Sequence, residues 1–202
     1  MAKPPGPAPV DPLKALDAAL AKAREAERRG DAKAALAALE AAPPEAKQLG
    51  SLHFARGSIL FRRGDLPGAI AAFRQAVKLD REIPEFLANL GAALVESHRR
   101  SPAPGALEEA IATLERAASL GPRTALAHNN LGMAYQAASR LDDALAAFDE
   151  AIAREPRDVN ALYNRAATLH MLGREEECLS ALDAVLEIQP NFQPAIQSRA
   201  NT

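Results

Sequence analysis

The sequence has few aromatic residues and little that favours β-structure. Aromatics make up 4% of the 202 residues and tryptophan is absent, yet hydrophobic residues reach 48%. Alanine and leucine carry this apolar content, and no segment alternates β-branched or aromatic residues with polar ones, as a half-buried strand does. The composition therefore predicts an all-α protein with a core of closely spaced helices.

Cysteine, net charge and long apolar runs are also scarce. The single cysteine, Cys178, excludes an internal disulfide and offers no thiolate cluster for a metal. A net charge of −2 gives no general attraction to nucleic acid or anionic membranes. No run approaches the roughly 18 apolar residues of a membrane span, and residues 1–12 lack the apolar core of a secretory signal. We expect a cytoplasmic protein with no nucleic-acid or membrane partner, and the preference for Ala and Arg over Ile and Lys hints at a bacterial genome.

What the sequence does contain is a repeat. The tetrapeptide Arg-Arg-Gly-Asp at 28–31 recurs at 62–65, 34 residues later, and the same period separates Pro156 from Pro190. Self-similarity at this period indicates stacked helical hairpins. A disordered Pro-rich arm is expected at 1–15, because it lacks periodicity. The repeat units are placed at 16–49, 50–83, 84–124, 125–158 and 159–192, with a short partial helix at 193–202.

The unit at 125–158 shows the pattern best. Its helix A is predicted from Ala125 to Ala138 and its helix B from Leu141 to Arg154. Gly132 on helix A lets helix B approach closely, and Phe148 on helix B fills the layer between them.

This pattern resembles the tetratricopeptide repeat (TPR), which has Leu-Gly at positions 7 and 8, Tyr at 11, Ala at 20 and 27, Phe at 24 and Pro at 32. The matching residues are Leu131, Gly132, Tyr135, Ala144, Phe148, Ala151 and Pro156. The other units keep partial sets, and 16–49 is the weakest. The resemblance implies a right-handed α-solenoid (superhelix) of about five TPR helix-turn-helix hairpins.

The unit at 84–124 is longer than the others by seven residues, inserted between Leu94 and Gly105. Seven residues make nearly two helical turns, so residues 95–100 are predicted to continue helix A, with residues 101–105 making the return. One interpretation is a tolerated surface insertion. The other is a projecting contact surface that carries His98, Arg99 and Arg100.

No constellation of residues suited to catalysis or metal binding is present. His53 and His128 fall at repeat position 4, where the family places a bulky packing residue. Cys178 replaces the small residue of position 20, and we expect it to be a buried thiol. The chain is therefore expected to need no cofactor and to have no enzymatic activity.

The resemblance assigns a concave groove to positions 2, 5, 6, 9, 12 and 13 of the A helices. Position 6 holds Asn89, Asn130 and Asn164 in consecutive units. Because a primary amide both donates and accepts, these three predict a ladder that holds an extended peptide; alternatively, they are polar residues that complete helix packing. The other predicted groove residues are Asn129, Phe54, Phe61, Met133, Tyr163 and Met171, with Val95, Gln136, Asn160 and His170 among them.

One known TPR binding mode is disfavoured. Chaperone-binding TPR domains clamp a terminal carboxylate with Lys and Arg, whereas the corresponding residues here are Phe54, Ser58, Asn89, Leu126 and Asn130. Because these cations are missing, the groove is predicted to prefer an uncharged or apolar segment, either an extended peptide or an amphipathic helix. The expected function is a non-enzymatic scaffold or adaptor that binds a protein partner.

Two features of the sequence allow more than one interpretation of its function. Residues 50–83 hold six Lys/Arg and three Asp/Glu, whereas 125–158 hold three and six, and 159–192 two and five. This uneven distribution of charge either reflects solvated outer helix faces or forms a polarised surface that orients a partner. In addition, the short terminal helix is expected to leave Leu182, Val185 and Leu186 partly bare. The alternative function is accordingly a self-associating structural or assembly factor, a homo-oligomer through this C-terminal face.

Overall fold

The computed structural model describes residues 11–121 and 125–201. In this part of the chain there are eleven α-helices and no strand, and successive helices pack as hairpins. The prediction of an all-α solenoid of helical hairpins is confirmed. No helix among the described residues is both long enough and apolar enough to cross a bilayer.

The chain divides into two compact bodies, 1–81 and 82–202. The N-terminal body holds α1 Pro12–Arg28, α2 Ala32–Glu40, a single 3-10 turn Ala46–Gln48, α3 Gly50–Arg62 and α4 Leu66–Leu79. The C-terminal body holds α5 Pro84–Arg100, α6 Ala106–Ser119, α7 Ala125–Ala137, α8 Leu141–Arg154, α9 Val159–Met171, α10 Glu175–Ile188 and α11 Gln193–Asn201.

The first helix begins earlier than the sequence analysis places it. Asp11 Oδ1 accepts the N–H groups of Leu13 and Lys14 at 3.0 and 3.4 Å, and Pro12 occupies the first helical position. An aspartate cap followed by proline is a strong start signal, because the carboxylate accepts orphan N–H groups of the first turn and proline has no N–H to leave unsatisfied. Residues 12–15 are therefore helical and not part of the predicted arm, whose residues 1–10 lie outside the described part.

The repeated tetrapeptide marks the turn from helix A to helix B. Gly30 and Gly64 have φ angles of 75° and 77°, a left-handed conformation that glycine adopts without steric cost. Asp31 and Asp65 then cap the next helix, each accepting the N–H three residues on, at 2.8 and 3.0 Å. In the fourth hairpin Ser139 takes the glycine's place, with φ 58°.

Within three hairpins, a glycine of the first helix faces a large side chain of the second. The pairs are Gly57 with Phe73, Gly91 with Leu114 and Gly132 with Phe148. A Cβ built on any of these glycines would lie between 2.3 and 2.6 Å from the partner side chain. The glycines therefore set the close spacing of the helices, as the sequence predicts for Gly132.

The expectation of bare apolar residues near the end of the chain is wrong for two of its three residues. Leu182 and Val185 are 1% and 0% exposed, while Leu186 is partly buried. They are covered because α11, short as it is, joins the same core through Ala195, and Phe192 packs beside it.

The insertion continues α5 as far as Arg100, as predicted. Val95 is only 3% exposed and so belongs to the core and not to an open groove. His98 is half-buried, and Arg99 and Arg100 are exposed but pair with Glu96 of the same helix.

Candidate functional site

The candidate site is the surface that α5, α7 and α9 share in the C-terminal body. We call it the A-helix face and define it as repeat positions 2, 5, 6, 9, 12 and 13 counted from Pro84, Ala125 and Val159. On α7 and α9 these positions hold no Asp, Glu, Lys or Arg.

Amide side chains link the three helices of this face. Asn130 on α7 donates Nδ2–H to the carbonyl oxygen of Ala88 on α5, at 3.3 Å. Its neighbour Asn129 accepts at Oδ1 from Nδ2 of Asn164 on α9, at 3.1 Å. Asn129 and Asn130 are 7% and 9% exposed. Two adjacent asparagines thus join α7 to the helices on both sides of it.

The third member of the predicted ladder behaves differently. Asn89 donates Nδ2–H to the carbonyl oxygen of Glu85, one turn earlier in its own helix, at 2.9 Å. The three amides of position 6 are therefore not equivalent: Asn130 and Asn164 each use a donor between helices, and Asn89 uses one within α5. A primary amide has a second N–H and an acceptor oxygen, so these bonds leave peptide recognition by the ladder a prediction.

A second polar link lies further along the same helices. Gln136 on α7 donates from Nε2 to Thr168 Oγ1 at 3.3 Å and lies 3.4 Å from the Met171 sulfur. Thr168 is fully buried and donates its hydroxyl to the carbonyl oxygen of Asn164 at 2.9 Å. Gln136 thus contacts both the buried Thr168 hydroxyl and the exposed Met171 of α9.

Apolar side chains stand between these polar links. Leu126 and Met171 are 52% and 54% exposed. Met133 is half-buried, and so is Tyr163, whose ring packs edge-on against Phe192 with the centroids 5.4 Å apart. Leu126 is absent from the predicted groove set, although it occupies position 2 of α7 and the same positional map would have included it.

The two predicted phenylalanines belong to the N-terminal body. Phe54 is half-buried on α3, with its ring 5.8 Å from that of Phe73 on α4 and tilted by 44°. Phe61, on the same helix, is half-buried as well. Phe54 thus contributes to hairpin packing, and neither phenylalanine is part of the A-helix face of the C-terminal body.

The residues assigned to packing are placed as expected. Cys178 is 1% exposed. His53 is half-buried, with Nε2 2.9 Å from the carbonyl oxygen of Lys47. His128 is half-buried at the start of α7, where burial and the charge of Arg154 lower its pKa, against the opposite effect of Glu150. Within the described ranges no three His, Cys, Asp or Glu residues are grouped closely enough to hold a metal ion.

Residues 57–97 match a TPR repeat model, and residues 129–191 match a second model described as a tetratricopeptide repeat. The chain belongs to the TPR family. In such stacks the repeats present an extended surface to a binding partner, so the family places the chain among protein-interaction modules. No curated protein sequence matches it significantly.

Solved structures, two of them described as TPR proteins, share its fold at low identity. YrrB, described as a TPR protein with an unusual peptide-binding site, is 22% identical with a TM-score of 0.69, covering 95% of this chain and 98% of YrrB. TTC0263 from Thermus thermophilus is 23% identical with a TM-score of 0.75, covering 92% and 97%. PilW, a type IV pilus biogenesis factor, is 19% identical with a TM-score of 0.74, covering 92% and 91%.

Proposed function

We propose that this TPR chain is a non-enzymatic scaffold or adaptor, and that the A-helix face of its C-terminal body binds an uncharged segment of a partner polypeptide. The segment is either extended or an amphipathic helix. The observation that carries this proposal is the exposure of Leu126 and Met171 on a face whose helices are linked by amide hydrogen bonds.

The apolar part of the face supports this function. Leu126 and Met171 leave about half of their surface in water, a cost that contact with an apolar partner removes. Methionine suits such a surface, because its unbranched, polarisable side chain adapts to different partners. Met133 lies on α7 at position 9, between position 2 of Leu126 and position 13 of Met171, and adds a second flexible thioether.

The polar part supports an uncharged partner. The positions of the face on α7 and α9 hold no Asp, Glu, Lys or Arg, so this part of the face offers no counter-ion for a buried charge. An unpaired charge is costly to desolvate. The remaining hydrogen-bonding capacity of Asn130 and Asn164 suits the peptide groups of a backbone, which are neutral and present both a donor and an acceptor.

The test uses random dodecapeptides displayed on phage and selected on the full chain. Selected peptides, resynthesised with a fluorophore, are titrated against the double variant Leu126→Ser/Met171→Ser. We expect affinity to fall by about tenfold or more, since each buried large apolar side chain contributes about 1.5 to 3 kcal/mol.

The matched control is Leu13→Ser on α1, where the leucine is 64% exposed but lies in the N-terminal body. This variant should bind the selected peptides as the wild type does. Equal affinity for the wild type and the double variant, or a selection that yields no binding peptide, contradicts the proposed site.

A further inference from the structure

The N-terminal body carries a group of arginines where α1 and α3 lie side by side. Arg24, Glu27 and Arg28 of α1 occupy repeat positions 9, 12 and 13 of the unit at 16–49, and Arg62 of α3 occupies position 13 of the next unit. These four residues line one open concavity of about 650 Å³. We call them the arginine cluster. Three arginines and one glutamate give it a net charge of +2.

An ion pair between the two helices holds the cluster together. Arg62 Nη2 donates to Glu27 Oε1, although the two residues are 35 positions apart in the chain. Side chains three and four apart on a helix share a face, so Arg24 and Arg28 stand on the side of α1 that Glu27 presents to α3. The cluster is therefore a feature of the contact between α1 and α3, and three of its four members belong to α1.

Most of the donors of the cluster are available to a ligand. Arg24 is exposed, and it has no ion pair with any residue in 11–121 or 125–201. Arg28 pairs with Glu25 at 2.5 Å, but 75% of its side chain is exposed, and the side chain of Arg62 is 58% exposed. Ion pairs this exposed are weak. A guanidinium also has five N–H donors, so one exposed pair leaves an arginine able to bind a second carboxylate.

The spacing of the two arginines on α1 matches that of alternate residues in an extended chain. A separation of four residues in an α-helix corresponds to about 6 Å along its axis. Alternate residues of an extended segment point to the same side and lie about 6.6 Å apart. Two acidic side chains separated by one residue would therefore meet Arg24 and Arg28 at the same time.

We propose that the arginine cluster binds an acidic segment of a partner polypeptide, extended along α1, with carboxylates on alternate residues. Arginine suits carboxylates because its planar fork of donors can bind both oxygens of one group. Two carboxylates also balance the net charge of the cluster, whereas a nucleic acid gains its affinity from many phosphate contacts. This surface is separate from the A-helix face of the C-terminal body and does not rest on the proposed function.

The experiment uses acetylated, amidated pentapeptides, which are too short to form a helix and have no terminal charge. The test peptide is Ser-Glu-Ser-Glu-Ser. Its isomer Ser-Glu-Glu-Ser-Ser has the same charge, but adjacent side chains of an extended chain point to opposite sides. Ser-Gln-Ser-Gln-Ser has no charge, and a fourth peptide carries one phosphoserine among four serines. Each is titrated into the 15N-labelled full chain, and the backbone amide shifts of Arg24, Arg28 and Arg62 are followed.

We expect the test peptide to bind about threefold more tightly than its isomer, the scale of one exposed ion pair. The glutamine peptide should produce no shift, and raising the salt concentration should weaken binding of the test peptide. Equal affinity for the two glutamate isomers would show attraction by charge alone and would overturn the proposal. Tighter binding of the phosphoserine peptide would assign the cluster to phosphorylated segments, which also overturns it.

Three variants locate the site. Arg24→Gln should weaken binding of the test peptide about threefold, whereas Glu27→Gln, which raises the positive charge of the cluster, should strengthen it by a similar factor. Lys22→Gln is the matched control, because it removes one positive charge from an exposed position of α1 outside the cluster, and it should bind as the wild type does. Equal losses in Arg24→Gln and Lys22→Gln, with both variants folded by circular dichroism, contradict the assignment.

The outcomes are independent of the proposed function. Leu126→Ser/Met171→Ser leaves the N-terminal body unchanged and should bind the test peptide with wild-type affinity, even where it loses the phage-selected peptides. No shift at the three arginine amides overturns the acidic site and leaves the A-helix face untouched. Concentration-dependent self-association that Arg24→Gln weakens would make a second copy of the chain the occupant, and would also reject a separate acidic partner.

Discussion

Asn164 on α9 donates a hydrogen bond to the side-chain oxygen of Asn129 on α7, 35 residues earlier, at 3.1 Å. Asn129 is 7% exposed, so its oxygen has little access to water as a substitute partner. The bond therefore holds two repeats together while it occupies part of the amide ladder. Under the proposed function, stability and binding are coupled at this position, and a loss of binding after substitution must be separated from a loss of folding.

Replacing Asn164 by alanine should reduce the free energy of unfolding by about 1 to 3 kcal/mol, because the buried Asn129 oxygen loses its donor. Urea denaturation followed by circular dichroism measures this change. The control is Asn89→Ala, which removes a bond within a single helix and should cost about 0.5 kcal/mol or less. Equal losses in both variants would show that the link between α7 and α9 contributes nothing.

The hairpin positions could be predicted from the sequence, because each depends on residues close together in the chain. Gly132 and Phe148 lie within one hairpin, and their spacing alone indicates which side chain fills the space above the glycine. The start of α1 is also a local matter, since the pair Asp11 and Pro12 carries the signal. The predicted arm nevertheless extends to residue 15, past the start of α1, because hydrophobic periodicity alone does not detect a capping residue.

The partners of the amides could not be predicted in the same way. Asn130 meets a backbone oxygen 42 residues away, and its geometry depends on how α5 and α7 stack. Coverage of Leu182 by α11 likewise depends on tertiary packing, since a nine-residue helix looks too short to shield it. The positional map thus predicts a candidate face, but not which of its polar groups the fold itself uses.

Gly132→Ala tests the close approach of α7 and α8. Alanine gains about 1 kcal/mol in helix propensity over glycine, but its Cβ would lie 2.5 Å from the Phe148 ring. Overpacking of this kind costs about 1 to 3 kcal/mol, so we expect no gain or a net destabilisation. Thermal unfolding is the measurement.

The control for Gly132→Ala is Gly121→Ala, where a Cβ meets nothing within 4 Å. A double-mutant cycle with Phe148→Leu should show a favourable coupling, because the smaller side chain relieves the clash. Additive effects of the two substitutions would contradict a direct contact.

Tyr135 links α7 to α6 through a hydroxyl that donates to Glu115 at 2.8 Å, while Arg140 lies 4.3 Å from the centre of its ring. Burial, and then the bond to Glu115, raise the pKa of Tyr135 to about 12. Because the neutral form is favoured in the folded state, its contribution to stability is complete below pH 10 and is lost as pH rises through about 12. Tyr135→Phe should lower stability at pH 8 by about 0.5 to 3 kcal/mol.

The chain has two tyrosines, so spectrophotometric titration of the phenol in the Tyr163→Phe variant follows Tyr135 alone and checks its raised pKa directly. Between pH 10 and 12, the stability difference between wild type and Tyr135→Phe should shrink. A difference that is constant up to pH 12 would show that the hydroxyl bond does not hold the proton.

His128 should make the chain less stable in mild acid. Burial, followed by the nearby charge of Arg154, lowers its pKa below the ordinary 6.5, whereas Glu150 acts in the opposite direction. The unfolded chain therefore takes up a proton at this side chain before the folded chain does. Its contribution to stability is present above pH 6.5 and is lost as pH falls through the lower folded pKa. Urea midpoints of the wild type should decline across this interval, and those of His128→Gln should decline less.

The control is a measurement at about pH 7.5, where the stabilities of the two proteins should have nearly the same pH slope. NMR titration of the imidazole checks the direction of the pKa shift. A folded-state pKa of 6.5 or above would contradict both the assigned cause and the expected slope.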